Sequence, residues 1–374
     1  MKWLHLSGLF ALAATTASAH SVFACGGGGV TSKSGVLMDS QRIVISLRPT
    51  TTEIIAQVSV PTTTADYGVL IPVPSQPTLD KQPVSARDLQ ALDNATAPQI
   101  YRATSGGDSG DSGCGCLAAG NDDDAAASPM PRVSASAPVD IGPVTAVVLT
   151  GDNADDVEAW LSDNGFALPE AEAPTLAAYV AHGNYFIAIR RNDHAAPGGP
   201  TSVGIHYTLV GDHRKLSLGF ARIGAAASVA FTVFIIAPTA IGPSAPFAAL
   251  TLNDLPATPL RNDDYSAALK QAVAEHGGQA FVLESALTKR TLANSVSLLQ
   301  SLEDDAVITR LSTIISREDL AEDVVFAAPF TSPVPRQRYA SFSLPHGRYA
   351  SFGAVGALIV GALLRRRTRA PRPS

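Results

Sequence analysis

Cysteine is scarce. Cys25, Cys114 and Cys116 are the only thiols in 374 residues, so a disulfide-dense scaffold is excluded, and the odd number leaves at least one Cys free, modified, metal-bound or paired outside the chain. Runs of Lys and Arg are absent before the last ten residues, and the formal net charge is -6. The electrostatic footprint of a nucleic-acid-binding protein is therefore missing. No Gly-X-Ser-X-Gly elbow occurs, and the Gly26 to Gly29 run lacks the Lys and Ser or Thr of a phosphate loop. His182, His194, His206 and His213 show no helical metal spacing with an intervening Glu. No catalytic constellation, metal site or cofactor site is read from the sequence.

Two apolar segments at the ends are present instead. Lys2 supplies a positive start, Trp3 to Ala14 an apolar stretch, and Ala17-Ser18-Ala19 the small residues a signal peptidase accepts. Residues 1–24 are read as a signal peptide, cleaved after Ala19 or after Ala24. The second site would leave Cys25 at the new N-terminus, where it could carry an acyl anchor. At the other end, residues 349–364 form an apolar stretch followed by Arg365, Arg366 and Arg367. A helix of about 16 residues is about 24 Å long, short of a hydrocarbon core of roughly 30 Å unless the arginines snorkel. The basic tail, 365–374, is expected on the cytoplasmic side and the body on the far side, in the periplasm or outside the cell, with membrane lipid as the partner of the helix. A removable surface-sorting tail is the other reading of this end.

Between the ends, the 46% hydrophobic and 16% charged composition supports a folded core. Residues 25–104 read as strand-rich: Gln41 to Leu47, Glu53 to Val60 and Tyr67 to Val73 alternate as strands of one antiparallel sheet, followed by a short helix capped by Ser85. The Gly26 to Gly29 run reads as flexible. Residues 105–138 are dominated by Gly, Ser, Asp, Ala and Pro and read as a mobile loop holding the Cys114-Gly115-Cys116 pair and the Asp122 to Asp124 run. The acidic run lacks the alternating ligands and closing Glu of a calcium loop.

Residues 139–328 form the remainder of the body. Val144 to Leu149 is a strand; Asn153 caps a helix with Asp155 and Asp156 in its first turn; Pro174 opens a second helix that Gly183 closes; Tyr185 to Arg190 is a strand. Further strands are expected at Ser202 to Leu209, Lys215 to Ala221, Ala280 to Leu283 and Val307 to Leu311, with a helix from Asp263 to Glu275. The apolar run Ile223 to Ala237 is about 15 residues, rich in β-formers and closed by Pro238, which predicts a buried strand and not a membrane span. Residues 329–348 read as a stalk, in which Arg338-Tyr339-Ala340-Ser341-Phe342 recurs as Arg348-Tyr349-Ala350-Ser351-Phe352. The expected class is α+β, with antiparallel or mixed sheets and helices packed on one face, plus one C-terminal transmembrane helix.

Several segments together resemble the uncharacterised bacterial family called domain of unknown function 2330. They are Cys25-Gly26-Gly27, Gln41 to Val44, Tyr67 to Pro74, Asn164 to Pro169, Tyr179 to Ala181 with Tyr185 to Ala188, and Ile308 to Leu311 with Ser316 to Leu320. The resemblance runs from Cys25 to about Phe326 and implies an exported envelope protein, often with a C-terminal anchor, without an accepted activity. Gly28, Gly29 and Val30 stand where family members tend to carry aromatic residues and a further Cys, which puts a disulfide local to that motif in question. The functional expectation is a non-enzymatic, membrane-anchored binding or structural module whose protein or glycan partner is unknown. The three thiols are expected to form a structural link from Cys25 to Cys114 or Cys116; the alternative function is a thiol or metal-handling protein using Cys114 and Cys116. A hydrolase assembled from residues distant in sequence is the third reading.

Overall fold

In the computed structural model the described residues are 21–23, 27–32, 36–59, 67–102, 133–192, 202–256, 262–292, 296–331, 334 and 336–340. In chain order the first strands are β1 (Ser21–Phe23), β2 (Gly29–Thr31), β3 (Leu37–Leu47), β4 (Thr51–Ser59), β5 (Gly68–Val73), β6 (Thr78–Leu79) and β7 (Val84–Ser85). Helix α1 (Ala86–Thr96) leads to β8 (Gln99–Arg102), β9 (Val133–Ala135), β10 (Val139–Ile141) and β11 (Val144–Gly151). Helices α2 (Ala154–Asp163) and α3 (Ala173–Ala181) precede β12 (Tyr185–Arg191), β13 (Ser202–Val210), β14 (Lys215–Leu216) and β15 (Ala225–Ala237). The chain continues with β16 (Ile241–Gly242), β17 (Ala248–Thr251), α4 (Asn262–Ala274), β18 (Ala280–Thr288), β19 (Val307–Ser316), β20 (Val324–Val325), β21 (Ala328–Pro329) and β22 (Gln337–Ala340).

Among the described residues these elements build two large sheets and three two-stranded ones, β14-β20, β16-β21 and β22-β8. The larger has ten strands in the order β17-β18-β19-β15-β3-β4-β13-β6, with β1 beside β3 and β7 beside β13. The smaller has six, in the order β10-β11-β12-β5-β2, with β9 beside β11. One core holds Ile43, Ile45, Ala56 and Val233 of the large sheet with Val69, Ile71, Ala146 and Ile189 of the small one, so the sheets pack face to face. Alternation then sends the neighbouring residues outward. Leu70, Leu149 and Phe186 meet Val157, Leu161, Leu176 and Val180 of α2 and α3, while Val44, Phe234 and Ile308 meet Leu89 and Leu92 of α1. The resulting order is helices, sheet, sheet, helix, a mostly β, α+β-like body.

Local chemistry accounts for the helix ends. The Ser85 hydroxyl accepts from Asp88 N–H, and Asn153 caps α2 through Asp155 N–H, each satisfying an orphan donor. Pro174 lies in the first turn of α3, and Gly183 at φ 72° lets the chain turn after His182. The run Ile223 to Ala237 contributes β15, paired with β19 along Ser228 to Ala237 and with β3 on its other side. It is a central strand because both flanks are bonded and both faces covered.

Four expectations are corrected. β5 does not join β3 and β4 but pairs with β12 and β2 in the small sheet, because alternation specifies a face without specifying a partner strand. α2 and α3 cover one face of the small sheet as expected, while α1 lies on the large sheet and α4 packs against β18 and β19. Val133–Ala135, placed in the mobile 105–138 loop, forms β9 against β11, since backbone pairing needs no apolar alternation. Gln337–Ala340, placed in the stalk, pairs in parallel with β8. Lys215 to Ala221 is a strand only at Lys215–Leu216, after which the chain tightens into a helical turn at Phe220–Arg222. The expected signal peptide, 1–24, is described only at Ser21–Phe23, and the 349–364 segment lies outside the described residues. Among the described residues no helix is long and apolar enough to cross a membrane.

Candidate functional site

A cleft of about 710 Å³ opens on the helical face of the small sheet. One wall is α2, presenting Asp155, Glu158, Ala159 and Ser162; the other is the Gly165 to Pro169 segment, with Ser32 after β2 at the margin. The wall is fixed from beneath. Gly165 at φ 78° reverses the chain after the helix, and Phe166, 6% exposed, packs on Trp160 with ring centroids 6.2 Å apart. Phe166 needs a glycine opposite it: a Cβ on Gly68 would stand 2.2 Å from the Phe166 ring. Burial pushes the Glu158 carboxyl above its ordinary pKa, and the nearby Asp155 charge adds to that. Neither carboxylate has an ion-pair partner among the described residues, so the rim presents uncompensated negative charge beside apolar Phe166 and Leu168.

Behind the cleft, polar groups lock the glycine-rich segment in place. Gly27 N–H donates to Gln41 Oε1 at 2.9 Å, and Gln41 Nε2 donates to the Gly28 carbonyl at 3.0 Å. Gly27 to Thr31 is buried. A Cβ on Gly27, whose φ is +69°, would lie 2.6 Å from Ser217 N, and one on Gly29 would lie 2.6 Å from Ile223 Cβ. Gly27 and Gly29 are thus a requirement of close packing, which corrects the expectation of flexibility for the described part of the run, Gly27 to Gly29. Beyond it, the Tyr179 hydroxyl donates to Asp323 Oδ1 at 2.5 Å and accepts from Phe220 N–H at 3.1 Å. Asp323 also accepts from Gly219 N–H at 3.1 Å and pairs with Lys215 at 2.8 Å. Burial, then the Asp323 charge, pushes the Tyr179 phenol well above the usual tyrosine range.

A second polar group is closed inside the large sheet. Arg310 on β19 pairs with Glu284 and with Asp93 of α1; Asp93 also pairs with Arg42 of β3 at 2.8 Å, and Glu284 accepts from Tyr265. Glu284 is 1% exposed and Arg310 9%. Burial alone would lower the Arg310 pKa, but the charges and hydrogen bonds of Glu284 and Asp93 more than reverse it. Arg310 also lies over the Phe234 ring at 5.5 Å from its centroid. These charges answer one another and hold α1 to the sheet.

Of the residues named from the sequence, Cys25, Cys114, Cys116, Arg365, Arg366 and Arg367 lie outside the described residues, as do His194 and Asp122 to Asp124. The other three histidines named from the sequence are dispersed: His182 ends α3 with Nδ1 2.5 Å from the Ala178 carbonyl, His206 faces Asp80 at 3.2 Å, and His213 meets the Val210 carbonyl at 2.7 Å. Among the described residues no group of three or more His, Cys, Asp or Glu side chains is placed to hold a metal. Gln41, Tyr179 and Arg310 stood within the segments that carry the family resemblance but without an assigned role, and Asp93, Glu284 and Asp323 were not singled out from the sequence. A charged residue inside an apolar strand, such as Arg310 in β19, was the available signal.

No curated protein matches the chain. A search of solved structures returns the crystal structure of baculovirus P35 at 8% identity and a TM-score of 0.27, covering 78% of this chain and 96% of that one. A likeness at that score carries no argument about fold or function. Residues 19–203 match the model of the family DUF2330, described as "uncharacterized protein conserved in bacteria". That match ends inside β13, so the Ile308 to Leu311 and Ser316 to Leu320 segments lie beyond it. It does contain the glycine-rich segment, β5 and the Asn164 to Pro169 wall of the cleft, and over residues 19–203 the chain belongs to DUF2330.

Proposed function

We propose that the chain is an exported envelope protein, held at the membrane by a helix at 349–364 with Arg365, Arg366 and Arg367 on the cytoplasmic side, and that its body is a binding module rather than an enzyme. The binding surface in this reading is the cleft between α2 and the Gly165 to Pro169 segment. One observation carries it: within the stretch that matches the family, charge and apolar surface converge on a cleft whose size suits a ligand (on the order of 300–1,000 Å³). The unpaired Asp155 and Glu158 beside Phe166 and Leu168 favour a ligand that brings positive charge on an apolar stem, such as a Lys- or Arg-bearing peptide segment. The anchor rests on the terminal apolar segment and its arginines.

The test is titration of the full-length protein in detergent with a short Lys-Leu peptide and with its Glu-Leu counterpart. Saturable binding of the first alone is expected, lost in Ser162→Trp, which fills the cleft. Equal binding of both peptides, or of neither, overturns the reading. For the anchor, membrane fractions should retain the chain through a high-salt wash and release it only with detergent; recovery in the soluble fraction refutes it.

A further inference from the structure

We propose, resting on the export reading above, that signal peptidase cuts between Ala19 and His20, so that the mature chain begins just before β1 and Cys25 is an interior residue rather than a lipid-bearing N-terminus. The sequence permits either site, since Ala17 and Ala19 are small and so are Val22 and Ala24 by the same rule. The sheet distinguishes them.

Ser21–Phe23 pairs in parallel with β3 in the register Ser21↔Leu37, Val22↔Met38 and Phe23↔Ser40. β3 is long, and its antiparallel partner β4 covers only Ile43 to Leu47. On the other side β15 is interrupted opposite this end, passing from Ala225↔Met38 to Ala230↔Ser40. β1 therefore occupies the flank of Leu37 to Ser40 that β4 does not reach. Cleavage after Ala24 removes the strand and leaves those backbone groups without a ladder, next to Met38, which is fully buried.

The downstream side points the same way. Gly27 is buried and tied to Gln41, and only Gly26 separates it from Cys25. An acylated N-terminal residue needs free chain between the lipid and the folded body, and one residue at about 3.5 Å supplies almost none. Independently, the DUF2330 match begins at residue 19 and so includes β1. The step is hydrolysis. The Ala19–His20 C–N bond breaks, water supplies the hydroxyl to the Ala19 carbonyl carbon and a proton to the His20 nitrogen, and no acyl donor is consumed.

Mass spectrometry of the N-terminal peptide of the full chain, isolated from the membranes of an expressing bacterium, tests this. A free amine on His20-Ser21-Val22 is expected. A chain starting at Cys25, acylated or not, overturns the site while leaving export standing; a chain still starting at Met1 overturns both, so the two failures are told apart. Ala19→Arg should accumulate uncleaved precursor at least tenfold over wild type, whereas Ala24→Arg should be processed as wild type. The opposite pattern refutes the proposal.

Discussion

The ten-stranded and six-stranded sheets share one apolar core but treat charge in opposite ways. On the outer face of the large sheet, Arg42, Asp93, Arg310 and Glu284 are sunk against α1 and answer one another. On the outer face of the small sheet, Asp155 and Glu158 stand at the rim of an open cleft without cationic partners. A buried carboxylate must be paired because water cannot reach it, whereas a rim carboxylate keeps enough hydration to stand without a cationic partner. The difference teaches that the same residue types close into a paired network where solvent is excluded and stand without cationic partners where it is not. The Tyr179, Asp323 and Lys215 group lies between these cases, half-buried and joining α3 to the later half of the chain.

The largest test of that contrast is Arg310→Met, which leaves Glu284 and Asp93 without their shared cation. Urea denaturation should show a loss of about 3–5 kcal/mol, as for other broken buried pairs. A loss comparable to that of a surface substitution would mean the network is solvated and the contrast false. Gly68→Ala comes next: its Cβ collides with Phe166, so about 1–3 kcal/mol of stability should be lost through overpacking. In the same variant Trp160 fluorescence should change as its ring contact with Phe166 is disturbed, and an unaltered spectrum would count against the proposed support of the cleft wall.

Tyr179→Phe sharpens the intermediate case. Phe220 N–H and Asp323 each lose a partner, so about 1–2 kcal/mol should go. The pH dependence has a definite sign. The phenol pKa is raised in the folded state, so the folded chain keeps a proton that the unfolded chain releases near pH 10, and stability falls as pH rises past that point. The Phe variant should show a flatter alkaline limb in thermal melts, and an unchanged limb would count against the buried phenol. The smallest effect belongs to Glu158→Gln, expected within about 0.5 kcal/mol of wild type. Its folded-state pKa is also raised, so wild type loses a little stability as pH rises through the glutamate range, and the Gln variant removes that slope. A large destabilisation here would place Glu158 with the structural charges.

Much of the local structure was legible. Ser85, Asn153, Pro174 and Gly183 marked helix ends because capping and turning are nearest-neighbour chemistry, and Ile223 to Ala237 declared a strand through its β-branched and aromatic residues. The cleft was legible only in part. Asn164 to Pro169 stood out as a motif, but that it faces Ser162 and Ser32 depends on how α2 lies over the small sheet. Gly27 to Gly29 misled for a physical reason. Glycine is chosen both where a chain is free and where another backbone comes too close for a Cβ, and only the neighbours, Ser217 and Ile223, tell the two apart.

By itself the chain's order of residues settled the caps, the periods of its strands and helices, and the apolar terminal segments, since each depends on residues within a few positions of one another. The assignment of β5 to the small sheet, the burial of Arg310 against Glu284 and Asp93, and the place of β1 beside β3 were decided only by the tertiary structure. Those contacts join positions up to 217 residues apart, and a strand's alternation does not encode which distant edge it will meet.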